Sequence, residues 1–268
     1  YEQAADYVAG SLETMLDTYN TASKMPYNYS YSIREGYVVK DYLYYDNLRQ
    51  ILSGEGYEAE EKQKRRAADM VDFLKSVESV DSYISSVHFI VNNETLGRMD
   101  FHYSTYSTFF KDEALFEKEV RVKEIAESSN RMMLIPTHPT GYFSGPSAPV
   151  FTVARNYFDL RGEVGNTPYV GTLFIDVNMS RMEQVFRTVN FSDKEIFYVL
   201  DENGDCYYSS SGDAAGRNLE EKLEEIRDTD QQLVLTSKKN EYGLYVLAVL
   251  DTAVAFGGIR SVQRMMYF

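Results

Sequence analysis

Three histidines, a lone cysteine and scattered carboxylates are the residues on which chemistry could rest in this 268-residue sequence. His88, His102 and His138 each lack a second ligand three or four positions on, so no helical metal pair forms and no metal is expected. His88 lies between Val87 and Phe89 and reads as a strand-face residue. Asp201, Asn203 and Asp205 imitate the opening of a calcium loop. Cys206 and Gly212 then stand where that loop wants glycine and glutamate, so an Asx-rich hairpin turn accounts for them better. Cys206 has no histidine near it in sequence, and a single cysteine makes no intrachain disulfide. The nucleophile elbow, the phosphate-binding loop and the dinucleotide-binding glycines are all missing from the sequence. Glu220-Glu221 and Glu224-Glu225 read as a solvated helix face. The spacing singles out no catalytic pair, and neither enzymatic activity nor a cofactor is expected of this segment.

Binding is better supported than catalysis. Strand alternation over residues 152–159 puts Val153, Arg155, Tyr157 and Asp159 on one face. A guanidinium beside tyrosine hydroxyls can hold a carboxylate or sugar hydroxyls. The same arginine suits an internal ion pair with Asp159 or Asp176 equally well. The composition is skewed toward such surfaces, with 23 Tyr, 15 Phe and no Trp. A formal charge of −14 repels phosphate backbones and anionic lipid headgroups, which excludes nucleic acid as a partner.

The elements that must position these residues follow from periodicity. A first helix carries Ala5, Val8, Leu12, Met15, Leu16 and Tyr19 and stops at Ser23-Lys24-Met25-Pro26. An amphipathic stretch with Val38, Tyr42, Tyr45, Leu48 and Leu52 on one side ends at Ser53-Gly54-Glu55-Gly56. Helices are expected over 58–78, 113–127, 179–189 and 218–228, and strands over 83–91, 131–135, 150–159, 169–177, 232–237 and 244–250. A loop holding four of the six prolines separates the strands at 131–135 and 150–159. A terminal helical pattern bears Val254, Ile259, Val262, Met265 and Phe268 with Arg260 and Arg264. With the uncapped first helix, it suggests a segment of a longer protein flanked by membrane spans. The pattern is α+β.

The most informative stretch is FYVLDENGDCYYSSSGDAAGRNL, residues 197–219. Asn203-Gly204 between two β-rich runs is a strong hairpin signal. Upstream lie the strand Tyr169-Val-Gly-Thr-Leu-Phe-Ile-Asp176-Val177 and a helix with Met179, Met182, Val185 and Val189. Strand, helix and hairpin in this order resemble the junction between the two modules of a double Cache domain, a PAS-like extracellular sensor of bacterial receptors. The resemblance covers residues 58–251. It implies a long N-terminal helix followed by two tandem modules with antiparallel sheets. Residues 1–57 would form the helical stalk and linker, 58–190 the membrane-distal module, and 191–268 the membrane-proximal module with its C-terminal helix.

The function implied is the extracellular, ligand-sensing region of a transmembrane sensor histidine kinase of Gram-positive bacteria, anchored in the cell membrane by flanking spans. A chemoreceptor ectodomain, or a module reading a solute-binding protein without a small-molecule pocket, are the alternatives. Gly171-Thr-Leu-Phe-Ile-Asp176 resembles the family's closing strand, whose Asp binds the ligand amine in amino-acid sensors. The Trp those sensors carry is missing here, which argues against an amino acid. The expected lining is Tyr103, Tyr106, His138, Tyr142, Arg155, Tyr157 and Asp176, around a small polar ligand such as a sugar or carboxylate. Homodimerisation through the first helix is expected by family analogy.

Overall fold

The computed structural model describes residues 2–27, 30–41, 43–106, 109–130, 132–159, 167–189, 195–212, 214–227 and 232–251. The terminal helical pattern over 254–268 lies outside them. The chain separates into two compact units: residues 17–135 and 139–178 form one, and residues 1–16, 136–138 and 179–268 form the other. The sequence boundary at 190/191 and the structural division at 178/179 thus differ by one helix, α6 (Ser180–Arg187). The reason is local: Phe186 of α6 stacks on Tyr208 at 4.6 Å and lies 6.1 Å from Phe197, both in the C-terminal sheet.

The first unit is built on a five-stranded sheet in the order β4-β3-β7-β6-β5. Its strands are β3 (Ile84–Asn93), β4 (Gly97–Ser104), β5 (Met132–Pro139), β6 (Pro149–Phe158) and β7 (Tyr169–Asn178). β3, β6 and β7 are buried along nearly their whole length, as central strands covered on both faces must be. The polar, aromatic residues 97–104 form edge strand β4. Gly171 is required where β7 passes β3, because a Cβ there would lie 2.5 Å from the Ile90 carbonyl oxygen.

Two layers cover the sheet. On one face lies α3 (Lys62–Glu78), burying Met70, Phe73, Leu74 and Val77. Phe73 meets Phe89 edge to face at 6.4 Å. On the other, α4 (Glu113–Glu119) and α5 (Val122–Glu127) bring Phe116 and Ile125 against Ile90, Ala154 and Phe174. A single helix is expected over 113–127; the chain instead breaks at Arg121, whose φ of 53° is left-handed. Preceding these elements are α1 (Glu2–Ser23), the hairpin β1 (Ser30–Arg34) and β2 (Tyr37–Asp41), and α2 (Leu43–Ser53). Val38, grouped by sequence in one amphipathic stretch with Leu48 and Leu52, instead belongs to a hairpin: it pairs with Ile33 across a turn in which Glu35 and Gly36 both take positive φ.

The second unit carries a four-stranded antiparallel sheet, β10-β11-β8-β9. Its strands are β8 (Ile196–Leu200), β9 (Cys206–Ser209), β10 (Gln232–Thr236) and β11 (Tyr245–Asp251), with α7 (Glu220–Arg227) packed beside them. Leu200, Cys206, Leu219, Leu223 and Leu247 share its apolar core. The β8–β9 hairpin forms as expected, although only Gly204 takes positive φ, at 80°. Asp201 Oδ1 accepts from the amides of Asn203 and Asp205, both at 2.9 Å, so the calcium-loop mimic is an Asx turn.

Candidate functional site

The register of the five-stranded sheet fixes one polar row on the face toward α4 and α5. Thr152 of β6 and Ser86 of β3 both sit opposite Asp176 of β7. Strand alternation puts His88 on that face two residues from Ser86, and His102 of β4 pairs with His88. Asp176 is completely buried. Its Oδ2 accepts from Ser86 Oγ at 2.6 Å and Tyr142 Oη at 2.6 Å, and contacts His88 Nε2 at 3.0 Å; its Oδ1 accepts from Thr152 Oγ1 at 2.6 Å. A carboxylate removed from water needs such donors, because an unpaired buried charge is very costly.

His88 extends the network outward. Its Nδ1 lies 2.8 Å from Nδ1 of His102, whose ring stacks on Phe110 with centroids 3.5 Å apart and planes 6° from parallel. With His88 Nε2 donating to Asp176, a neutral His88 accepts the Nδ1 proton of His102. Burial, and secondarily the neighbouring His88 imidazole, push the pKa of His102 down to about 2, so this imidazole is neutral. Burial, reinforced by the Asp176 charge, holds the Tyr142 hydroxyl well above its ordinary value, so it stays a donor. Phe110, Phe116, Tyr142 and Phe143 roof the cluster; Phe116 is 4.4 Å and Phe143 5.6 Å from the His88 ring. The centre is therefore occupied by the protein's own side chains.

Arg155 and Tyr157 point to the opposite face. Arg155 Nε donates to Ser23 Oγ at 2.7 Å and Nη2 to Asn20 Oδ1 at 2.5 Å, both on the last turns of α1. Tyr157 Oη donates to the Ser23 carbonyl, and its ring stacks on Tyr27 at 4.9 Å. A cation and a hydroxyl donor at a helix C-terminus satisfy carbonyls and dipole together. Of the residues expected to line one site, Tyr142 and Asp176 come together, while Arg155 and Tyr157 form a clamp on the far side of the sheet. Tyr103 shares that far face and lies under Lys75, whose Nζ is 5.8 Å from the ring centroid. Tyr106 is 75% exposed. His138 belongs with the C-terminal unit, its Nδ1 2.9 Å from the Pro136 carbonyl oxygen.

Ser86, His88, His102 and Thr152 are not among the residues expected to line the site. The usable signal was the Ser86-x-His88 alternation; their convergence on Asp176 depends on cross-strand register, which no local pattern encodes. Past Ile90 the same face opens into a cavity of about 620 Å³ between the β3–β4 end of the sheet and α4–α5. At its margin Arg98 is held by Asp100 (2.9 Å), Glu113 (2.9 Å) and Glu117.

No protein-family model and no curated protein matches the sequence. Solved structures do match in fold. The ligand-binding domain of the Pseudomonas aeruginosa PAO1 amino-acid chemoreceptor PctB, in complex with L-Gln, is 11% identical. It aligns over 99% of this chain and 96% of its own, with a TM-score of 0.58. The periplasmic sensory domain of the Campylobacter jejuni chemoreceptor Tlp1 is 11% identical over 93% and 91%, with a TM-score of 0.53. The extracellular domain of the putative histidine kinase rpHK1S-Z16 is 12% identical over 96% and 97%, with a TM-score of 0.52. The α+β arrangement of an N-terminal helix and two antiparallel sheets is thus the fold of these domains.

Proposed function

We propose that this chain is the extracellular ligand-sensing region of a membrane-anchored bacterial signal transducer, a sensor histidine kinase of the two-component type. The observation that carries the reading is the use of one strand, β6, on both faces. Thr152 joins the buried Asp176 cluster on one side, and Arg155 and Tyr157 grip the end of α1 on the other. A small polar ligand, a sugar or carboxylate, that shifts the sheet's packing on the sensing face would shift the grip on α1, and the terminal helices would carry that change onward. The fold likeness to sensory domains of chemoreceptors and of a histidine kinase supports the class, and a chemoreceptor output is the close variant. The single, buried Cys206 suits an exported protein of Gram-positive bacteria built without disulfides and a cytosolic protein equally, so the Gram-positive origin rests on the resemblance. Flanking membrane spans and a homodimer through α1 complete the proposal.

A thermal-shift screen with sugars, carboxylates and amino acids tests it. A ligand at one hundred times its Kd stabilises the folded state by about 2.7 kcal/mol. If none of these classes raises Tm, the small-molecule reading is lost. One feature favours a second reading, a module that recognises a solute-binding protein. The Asp176 centre is filled, while Ile33, Tyr37 and Val38 of the β1–β2 hairpin are 71–78% exposed. A silent screen together with hairpin-dependent capture of such a protein would select it.

A further inference from the structure

We propose that His102 and His88 form a proton relay from the edge of the five-stranded sheet to the buried Asp176, and that the stimulus read at this centre is acidification. The second half of the inference rests on the sensing role proposed above. The chain's own side chains fill the centre, and a proton is the guest that a packed site still admits. The stations are aligned. Asp176 Oδ2 lies 3.0 Å from His88 Nε2, and His88 Nδ1 lies 2.8 Å from His102 Nδ1. His102 stands on edge strand β4 and is only partly buried. Its Nε2 has no hydrogen-bond partner among the described residues and is not sealed from solvent. That nitrogen is the open end of the row, where a proton from water can add.

At rest one proton lies between the rings, carried by His102 Nδ1 and accepted by His88 Nδ1, while His88 Nε2 donates to Asp176. Loading forms an N–H bond at His102 Nε2 with a proton from hydronium. The bridging proton then leaves His102 Nδ1 and bonds to His88 Nδ1. His102 ends neutral in its other tautomer, and His88 becomes an imidazolium against the Asp176 carboxylate. One proton is taken up and both hydrogen bonds survive. The pair refuses a second, since the pKa of His102 is held down to about 2.

The charges around the pair favour a single loading. β7 supplies Asp176, and the loop before β6 supplies the Tyr142 hydroxyl, which stays a neutral donor. On β4 itself Arg98 opposes loading, but Asp100, with Glu113 and Glu117 of α4, offsets it. Glu119 of α4 adds negative charge on the Tyr142 side. Ser86, Tyr142 and His88 share Asp176 Oδ2, so an imidazolium that draws this oxygen weakens the other two bonds and loosens the aromatic roof at Tyr142.

Nitrogen NMR of the histidine rings, taken on the unaltered chain from about pH 8 to about pH 5, tests the relay. As pH falls, His102 should exchange its Nδ1 proton for one on Nε2, and His88 should become doubly protonated at the same midpoint. The H102F variant keeps a ring against Phe110 but removes the acceptor, so the His88 midpoint should fall by about one pH unit or more. In the unaltered chain the amide shifts of Asn20 and Ser23, the residues gripped by Arg155, should follow that midpoint. A charge that stays on His102, a His102 that keeps its Nδ1 proton throughout, or an unmoved midpoint in H102F would each overturn the relay. A titrating relay to which Asn20 and Ser23 do not respond would overturn acidification as the stimulus. If the relay fails while the thermal-shift screen still yields a ligand, the sensing role stands and only this inference is wrong.

Discussion

The two faces of the five-stranded sheet both bury polar groups, yet they use them differently. On the α4–α5 face, Asp176 collects donors from two neighbouring strands and a loop, and the network closes on itself under an aromatic roof. On the α1 face, Arg155 and Tyr157 spend their donors on the end of a helix, so the network links two elements. A closed network fixes the packing of one region, whereas a bridging one transmits position from sheet to helix. The difference comes down to where the acceptors lie. On one face they belong to a side chain of the sheet itself, on the other to α1.

The largest expected effect separates the two networks. Asp176→Ala strands Ser86, His88, Tyr142 and Thr152 without their common acceptor, and should cost about 3 kcal/mol or more in urea denaturation. Amide exchange over residues 17–23 should stay selective, rising no more than the global loss requires. Arg155→Ala should cost about 2 kcal/mol and do the reverse, raising exchange at 17–23 well beyond the global change. Equal spreading of both effects across the unit would erase the proposed division.

A pH experiment probes the closed network next. The folded pKa of His102 is lowered to about 2, whereas an unfolded histidine titrates near 6.5. Between these values the unfolded chain binds a proton that the folded chain refuses, so this stabilisation is complete above pH 6.5 and is lost as pH falls. By pH 5 the loss should reach about 2 kcal/mol, and His102→Phe should remove that slope. A variant with the unaltered pH profile would show that His102 is readily protonated in place. The smallest effect belongs to the margin of the cavity. Arg98 is 44% exposed and its three carboxylate contacts are screened, so Arg98→Ala should cost no more than about 1 kcal/mol, less in high salt.

Several elements were legible because local rules sufficed. The α1 stop at Ser23, the strands near 84–93, 149–158 and 169–178, and the β8–β9 turn follow from proline, alternation and Asn-Gly chemistry. The β1–β2 hairpin escapes a local reading because Val38 falls at helical spacing with Tyr42, Tyr45 and Leu48, while the Glu35-Gly36 turn just before it is a weaker signal. The break at Arg121 was invisible, since nothing about arginine announces left-handed backbone.

Alternation along β6 puts Arg155 and Tyr157 on one face, and the structure has them there together. The sequence by itself determined which side chains share a face, because that depends on a period of two within one strand. Only the tertiary structure decided which strands lie side by side and what covers each face. Register across β3, β7 and β6 gathers Ser86, Thr152 and Asp176 from positions 90 and 24 residues apart, and the end of α1 claims Arg155 from 132 residues away. Such meetings are set by packing the whole unit, where burying a charge without donors is too costly to allow any other arrangement.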